Sequence, residues 1–265
     1  MKRQLVLLMV AIQFLTRLPV PPLDRYESAW LALSARYFPV VGVLVGSISV
    51  GVWWLSSTCF PPTVAVGLML TGSLLVTGAL HEDGFADVCD GFGGAGAHDG
   101  VLAIMKDSRI GTYGAVGIAM MLGLRWAALA SVPRFALPLT VITAGMVSRW
   151  CATGLIWRLP YVRMDVDAKS KSVANGLSAG NWLLSGVLGA LALLPVAWIV
   201  SPASILPVIR VLAIALVFAS ASTVLAAAYF KSRIGGYTGD CLGATQQIAE
   251  LVFLLTALAT FTTSR

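Results

Sequence analysis

The sequence predicts an all-α fold, a polytopic integral membrane helical bundle of about seven spans plus a short N-terminal interfacial or re-entrant helix. Of its 265 residues, 58% are hydrophobic and only 11% are charged, whereas soluble domains carry about 25% charged residues. The four cysteines have no paired spacing, which excludes a disulfide scaffold, and the high apolar content excludes a disordered chain. The net charge of +6 would also suit a nucleic-acid-binding protein. In so apolar a chain we assign it to the cytoplasmic membrane side and expect no nucleic-acid partner.

Seven apolar runs are long enough to cross a bilayer core of about 30 Å. In chain order they lie at about 38–55, 63–80, 111–130, 136–157, 182–200, 205–229 and 246–262. Before them, residues 1–15 combine Lys2 and Arg3 with a shorter apolar stretch, and no small-residue cleavage site follows. This pattern favours an uncleaved interfacial or re-entrant helix over a signal peptide. Gly42 and Gly46 favour close helix packing within one chain, while a homo-oligomer stays open.

The charged residues predict how the bundle is oriented. If the first segment does not cross, one side of the membrane receives residues 1–37, 81–110, 158–181 and 230–245. With the residue in the adjoining helix, fourteen of the eighteen basic residues fall there: Lys2, Arg3, Arg17, Arg25, Arg36, Lys106, Arg109, Arg149, Arg158, Arg163, Lys169, Lys171, Lys231 and Arg233. Arg125 and Arg210 fall on the other side, nearer the lipid. Eleven of the twelve acidic residues share the basic side, and Glu250 lies about one turn into the final span. By the positive-inside rule the basic side is cytoplasmic.

The most informative segment is 81–94, HEDGFADVCDGFGG, at the cytoplasmic end of the second span. Asp83, Asp87 and Asp90 are spaced i, i+4 and i+7, which places them on one face of a helix. Because like charges at this spacing repel, a cation should compensate them. Oxygen ligands without cysteine or histidine support favour Mg²⁺, which binds one or two carboxylates together with substrate phosphates. A solvated acidic loop is the alternative, but it would not explain the glycines that follow two of the aspartates.

The two histidines, His81 and His98, are each either a ligand or proton carrier, or a structural residue. His81 is the stronger of the two candidates for a catalytic role. A zinc site is disfavoured, since Cys89 and the two histidines form no recognisable ligand spacing.

A second polar cluster, at 104–114, lies directly before the third span. Lys106 and Arg109 supply positive charge for an anionic substrate, and arginine can bind a phosphate through two hydrogen bonds. Asp107 and Ser108 lie between them. The alternative is that the two basic residues are only membrane anchors.

A third cluster, at 235–246, lies before the last span and contains glycines, Thr238 and Asp240. A phosphate or metal contact is predicted there, because the free N–H groups at a helix N-terminus favour anions. A plain glycine turn is the alternative. Residues 158–181 add a mixed charge run that fits a cytoplasmic surface.

Together these segments resemble the cobalamin synthase family, whose members are also called adenosylcobinamide-GDP ribazoletransferases. The resemblance rests on FLTRLP at 14–19, the acidic segment 81–94, the cluster 104–114, and residues 236–242 with Glu250 beyond. These motifs follow the order of the family and span most of the chain. Glu82 departs from the apolar residue expected of the family, and it joins the candidate metal ligands only as an open question.

The resemblance implies a bacterial enzyme that joins adenosylcobinamide-GDP to α-ribazole or its 5'-phosphate, with Mg²⁺, and releases GMP. It implies a multi-pass protein of the cytoplasmic (inner) membrane, in contact with the lipid bilayer. We expect one membrane-embedded catalytic domain over 1–265, with cytoplasmic active-site loops at 81–110, 158–181 and 230–245. The candidate catalytic residues are Asp83, Asp87, Asp90 and Asp240. The candidate metal ligands are Glu82, Asp83, Asp87 and Asp90. The candidate substrate-binding residues are His81, Lys106, Asp107, Ser108, Arg109 and Thr238.

Two other functions remain open. A CDP-alcohol phosphotransferase-like lipid enzyme also uses clustered aspartates, but its signature places an arginine after alanine, whereas Asp87 follows Ala86 here. A cation transporter would keep such carboxylates near the middle of the bilayer, whereas these are predicted at its edge.

Overall fold

The computed structural model describes residues 2–22, 29–96, 98–162, 176–200 and 205–263. These residues form α-helices joined by short connections, with a 3₁₀ turn at Ala35–Tyr37. The helices are α1 (Lys2–Leu15), α2 (Ala29–Ser34), α3 (Phe38–Ser56), α4 (Pro62–Thr77), α5 (Leu80–Gly94), α6 (His98–Ile104), α7 (Thr112–Ser131), α8 (Leu137–Arg158), α9 (Ala179–Val200), α10 (Ile205–Ile234) and α11 (Gly239–Thr263).

The predicted all-α membrane bundle is confirmed. Within the described residues six helices are long and apolar enough to span a bilayer, and a bent pair, α4 with α5, becomes a seventh if it counts as one span. The last span begins earlier than predicted, at Gly239, so Glu250 lies about three turns inside it. The N-terminal segment forms the short helix α1, which packs against α2 and α3.

The second predicted span is broken. The axes of α4 and α5 differ by 89°, and between them Gly78 and Ala79 have left-handed backbone angles, with φ of 65° and 56°. Such a conformation costs a non-glycine residue about 1–2 kcal/mol. Arg17, in the N-terminal motif, donates its backbone N–H to the Val76 carbonyl at 2.7 Å. A Cβ on Gly78 would lie 2.0 Å from the Arg17 Nε. The N-terminal motif therefore packs on the break that turns the acidic helix.

The close glycine contact occurs between α3 and α8 of the same chain. A Cβ on Gly42 would lie 2.2 Å from the Gly145 carbonyl oxygen, and one on Gly46 would lie 2.8 Å from the Ile142 Cα. The prediction that this stripe packs within one chain is confirmed.

Two of the three segments expected as loops, 81–110 and 230–245, are largely helical in the structure. Most of 81–110 belongs to α5 and α6, because the i, i+4, i+7 pattern continues as helix after the break. In 230–245, only four residues separate α10 from α11. Most of the 158–181 run, at 163–175, lies outside the described residues. The start of this run is joined to the connection between α10 and α11 by two backbone hydrogen bonds. The Val162 N–H donates to the Tyr237 carbonyl, and the Tyr237 N–H donates to the Pro160 carbonyl, both at 3.0 Å.

Candidate active site

A cavity of about 130 Å³ opens where α5, α8 and α11 meet. Its polar lining comes from His81 and Asp83 on α5, Arg149 on α8 and Asp240 on α11. The remaining wall is apolar and includes Phe14, Leu15, Phe38, Leu80, Ala152, Ile156 and Leu242. The acidic segment and the third sequence cluster, which are more than 140 residues apart in the chain, therefore share one site.

Glycines allow α5 and α11 to approach this closely. A Cβ on Gly84 would lie 2.9 Å from the Asp240 Cα, and one on Gly243 would lie 3.1 Å from the His81 carbonyl oxygen. A larger residue at either position would push the two helices apart and separate Asp83 from Asp240.

The three aspartates of α5 lie on a helix as predicted, but in different surroundings. Asp83 is exposed, Asp87 is half-buried and Asp90 is buried. The two carboxylate oxygens of Asp90 accept hydrogen bonds from the backbone N–H groups of Gly111 at 2.7 Å and Gly114 at 2.8 Å. Asp90 thereby caps the N-terminus of α7, whose N–H groups have no partner within the helix. Its metal-binding role stays a prediction.

Glu82 points to the other side of α5, into the bundle. It accepts hydrogen bonds from the Gln247 side-chain amide at 2.8 Å and from the Arg125 guanidinium at 3.4 Å.

Arg125 also donates to Gln247 and to Glu250. Glu250 in turn accepts hydrogen bonds from the Gln246 amide and the Ser148 hydroxyl. Glu82 is thus part of a buried ion-pair network rather than of the cavity that holds Asp83 and Asp240.

This network contains charged residues that the sequence interpretation left outside the site. Arg125, placed nearer the lipid from the sequence, is instead 4% exposed and faces Glu250 inside the bundle. Arg149, counted only as a basic residue of the cytoplasmic side, is also 4% exposed. The signal that could have found them is charge within apolar spans, since such residues face a bundle interior or a cavity and are commonly functional.

The cluster before α7 lies outside the lining of this cavity. Asp107 and Arg109 form a forked pair, with the Arg109 Nε and Nη2 both donating to the Asp107 carboxylate, the latter at 2.6 Å. These bonds lower the pKa of Asp107 to about 2. Lys106 and Ser108 are exposed. The substrate-binding roles of these four residues stay predictions.

Thr238 starts α11. Its hydroxyl oxygen accepts the backbone N–H of Cys241 at 3.3 Å, and the whole residue is buried. This is an N-cap geometry, so the third cluster does begin a helix, as the anion-site prediction required. Thr238 does not line the cavity, whereas Asp240, two residues later, does.

Comparison with known proteins identifies the family. The family model described as cobalamin-5-phosphate synthase matches residues 7–258. A protein of Leptothrix cholodnii named adenosylcobinamide-GDP ribazoletransferase is 40% identical over 96% of this chain and 95% of its own length. Proteins with the same name from Shewanella frigidimarina and Vibrio parahaemolyticus are each 38% identical, over 97% and 98% of this chain and 95% and 94% of their own lengths. No solved structure gives a significant match. The chain belongs to the cobalamin-5-phosphate synthase family.

Proposed function

We propose that this chain transfers the adenosylcobinamide phosphate group from adenosylcobinamide-GDP to α-ribazole or α-ribazole 5'-phosphate. GMP is released and adenosylcobalamin, or its 5'-phosphate, is formed. The proposal is supported by the family match and by the names of relatives that align along nearly the whole chain. The structural observation that carries it is the cavity where Asp83, Asp240 and Arg149 meet, because phosphoryl transfer needs anionic and cationic groups around one phosphate.

The reaction balances as one substitution at phosphorus. The ribose 3'-hydroxyl oxygen of the ribazole attacks the phosphorus that carries the cobinamide, and a new P–O bond forms. The P–O bond to GMP breaks, and its electron pair leaves on the GMP phosphate. The hydroxyl proton passes to a carboxylate, for which Asp83, Asp87 and Asp240 are the candidates.

We propose Mg²⁺ as the cofactor of this cavity. Among the residues that the structure describes, no three His, Cys, Asp or Glu side chains converge on one point. Mg²⁺ nevertheless needs only one or two carboxylates when substrate phosphates and water complete its shell. Asp83 and Asp240 line the same cavity and fit that donor set, and Asp87 lies one turn further along α5. When bound, the ion would neutralise charge on the diphosphate.

We further propose that the protein lies in the bacterial cytoplasmic membrane with this cavity on the cytoplasmic side. The clustering of basic residues on the side that carries the acidic helix supports this orientation. Both organic substrates are polar phosphorylated or nucleoside-like molecules, which a cavity at the inner face would receive from the cytoplasm.

The experiment uses the full-length protein in detergent with Mg²⁺, adenosylcobinamide-GDP and α-ribazole. GMP release that requires both organic substrates supports the proposal. A protein that moves metal ions in liposomes and releases no GMP would instead be a transporter, and turnover of a lipid alcohol would indicate the lipid enzyme.

Asp87→Asn should lower GMP release by a factor of roughly 100 or more, because a lost electrostatic contact to the transition state costs that much. Expression and membrane insertion should be unchanged. Asp99→Asn, which alters an exposed carboxylate on the neighbouring α6, is the matched control and should keep normal activity. An active Asp87→Asn enzyme would remove that aspartate from the site.

A further inference from the structure

Arg149 is a buried cation whose charge the described part of the protein does not pair directly. Its Nη1 donates to the Gly145 carbonyl of its own helix at 3.0 Å, and its buried Nε has no hydrogen-bond partner. No carboxylate among the described residues forms an ion pair with it. Burying a charged group without such a partner is unfavourable, so the presence of Arg149 at this position calls for an explanation.

The nearby carboxylates already bind other groups. Glu82 and Glu250 lie close enough to attract Arg149 electrostatically, but both form ion pairs with Arg125. One oxygen of Glu82 is buried and unpaired, and a cavity of about 30 Å³ beside these residues has room for bridging water. A purely structural role for Arg149 as a distant counter-ion is therefore the rival explanation.

The position of Arg149 favours a ligand instead. It lines the cavity that contains Asp83 and Asp240, and it is the one arginine or lysine in that lining as far as the structure describes it. The basic residues suggested by the second sequence cluster lie elsewhere, and Arg109 already binds the Asp107 carboxylate. A planar guanidinium can donate two parallel hydrogen bonds to a phosphate.

We propose that this cavity is an organic-diphosphate site in which Arg149 binds the phosphate oxygens, in the same cavity as the carboxylates Asp83 and Asp240. This inference rests on the proposed function for the identity of the cavity and of its diphosphate ligand, and it adds the residue that binds the anion. Arg149 holds the diphosphate in place, while Asp83 and Asp240 would hold the metal ion or accept the hydroxyl proton.

The test measures binding of inorganic pyrophosphate with Mg²⁺ to the full-length protein in detergent, by equilibrium dialysis. The variants are Arg149→Gln, Arg149→Lys and the control Arg158→Gln, which removes an exposed arginine from the same helix. Wild-type protein and the control should bind within a factor of two of each other. Arg149→Gln should raise the dissociation constant at least tenfold, and Arg149→Lys should lie between, because lysine keeps the charge but not the two parallel bonds.

The melting temperature without pyrophosphate separates binding from structure. If Arg149 serves a ligand, Arg149→Gln should melt no lower than wild type, since it removes a buried charge without an ion-pair partner. The proposal is overturned if wild-type protein does not bind pyrophosphate, if Arg149→Gln binds as tightly as wild type, or if Arg149→Gln is substantially less stable.

Failure of this inference can be distinguished from failure of the proposed reaction. If Arg149→Gln releases GMP with an unchanged KM, the inference fails and the reaction stands. If wild-type protein binds pyrophosphate through Arg149 but releases no GMP, the reaction fails and the anion site stands.

Discussion

Aspartates that are one or two turns apart on α5 have different roles because they meet different surroundings. Asp83 faces the cavity shared with Asp240, whereas Asp90 is buried against the start of α7. A Cβ on Gly111 or Gly114 would lie within 2.4 Å of an Asp90 oxygen, so both positions accept only glycine while Asp90 keeps this conformation. Gly111 and Gly114 of the second cluster therefore have a structural role in this helix cap, whether or not the cluster also binds substrate.

At Asp90 we expect alanine to lower the free energy of unfolding by about 2 kcal/mol, because two charge-assisted bonds to the α7 N-terminus are lost. Asp90→Asn should cost less, since its amide oxygen still accepts one of the bonds. Denaturation of the purified proteins measures the free energy of unfolding of both variants. Equal stability of Asp90→Ala and the wild-type protein would contradict the capping role.

At the scale of helices, the contact between α3 and α8 depends on glycine. Gly42→Ala should destabilise the protein by about 1–3 kcal/mol, since the added methyl would overlap the Gly145 carbonyl and the helices must separate. Gly51→Ala on the same helix has no atom within 4 Å and should be neutral, or stabilising by up to about 1 kcal/mol. Thermal unfolding in detergent compares them. If the two variants have the same melting temperature, the close packing at Gly42 does not contribute to stability.

The contact of α6 with the end of α10 should depend on pH. The ring nitrogens of His98 contact the Asp99 carboxylate at 2.9 Å and the Ile234 carbonyl at 3.0 Å, and these bonds raise the pKa of His98 above its usual 6.5. A raised pKa means that the stabilisation is complete below about pH 6.5 and is lost as the pH rises through the folded-state pKa. Nearby, Arg233 donates to the Ala95 carbonyl at every pH.

Hydrogen exchange of 98–104, corrected for the intrinsic rate, should therefore show protection that decreases as the pH rises. His98→Ala should remove the pH dependence and leave low protection throughout. The same pH dependence in wild type and His98→Ala would assign it to another group.

For the whole molecule, the native cysteines report the orientation. Cys59 is exposed in the turn between α3 and α4, on the side opposite the acidic helix, whereas Cys151 and Cys241 are buried. A membrane-impermeant maleimide should label Cys59 in intact spheroplasts, and Cys59→Ser should abolish that labelling. Labelling of Cys59 only in inside-out vesicles would reverse the proposed topology.

The sequence by itself determined the membrane class, the approximate positions of the long helices and the helical spacing of the aspartates, because apolar length and residue spacing act locally along the chain. Only the tertiary structure decided which polar groups meet. The break at Gly78 and Ala79 turns α5, and the packing of α5 with α11 brings Asp83 to Asp240 and directs Glu82 to Arg125. It also brings Arg149 into the same cavity. These pairings depend on helix contacts between residues far apart in the chain, which local spacing does not encode.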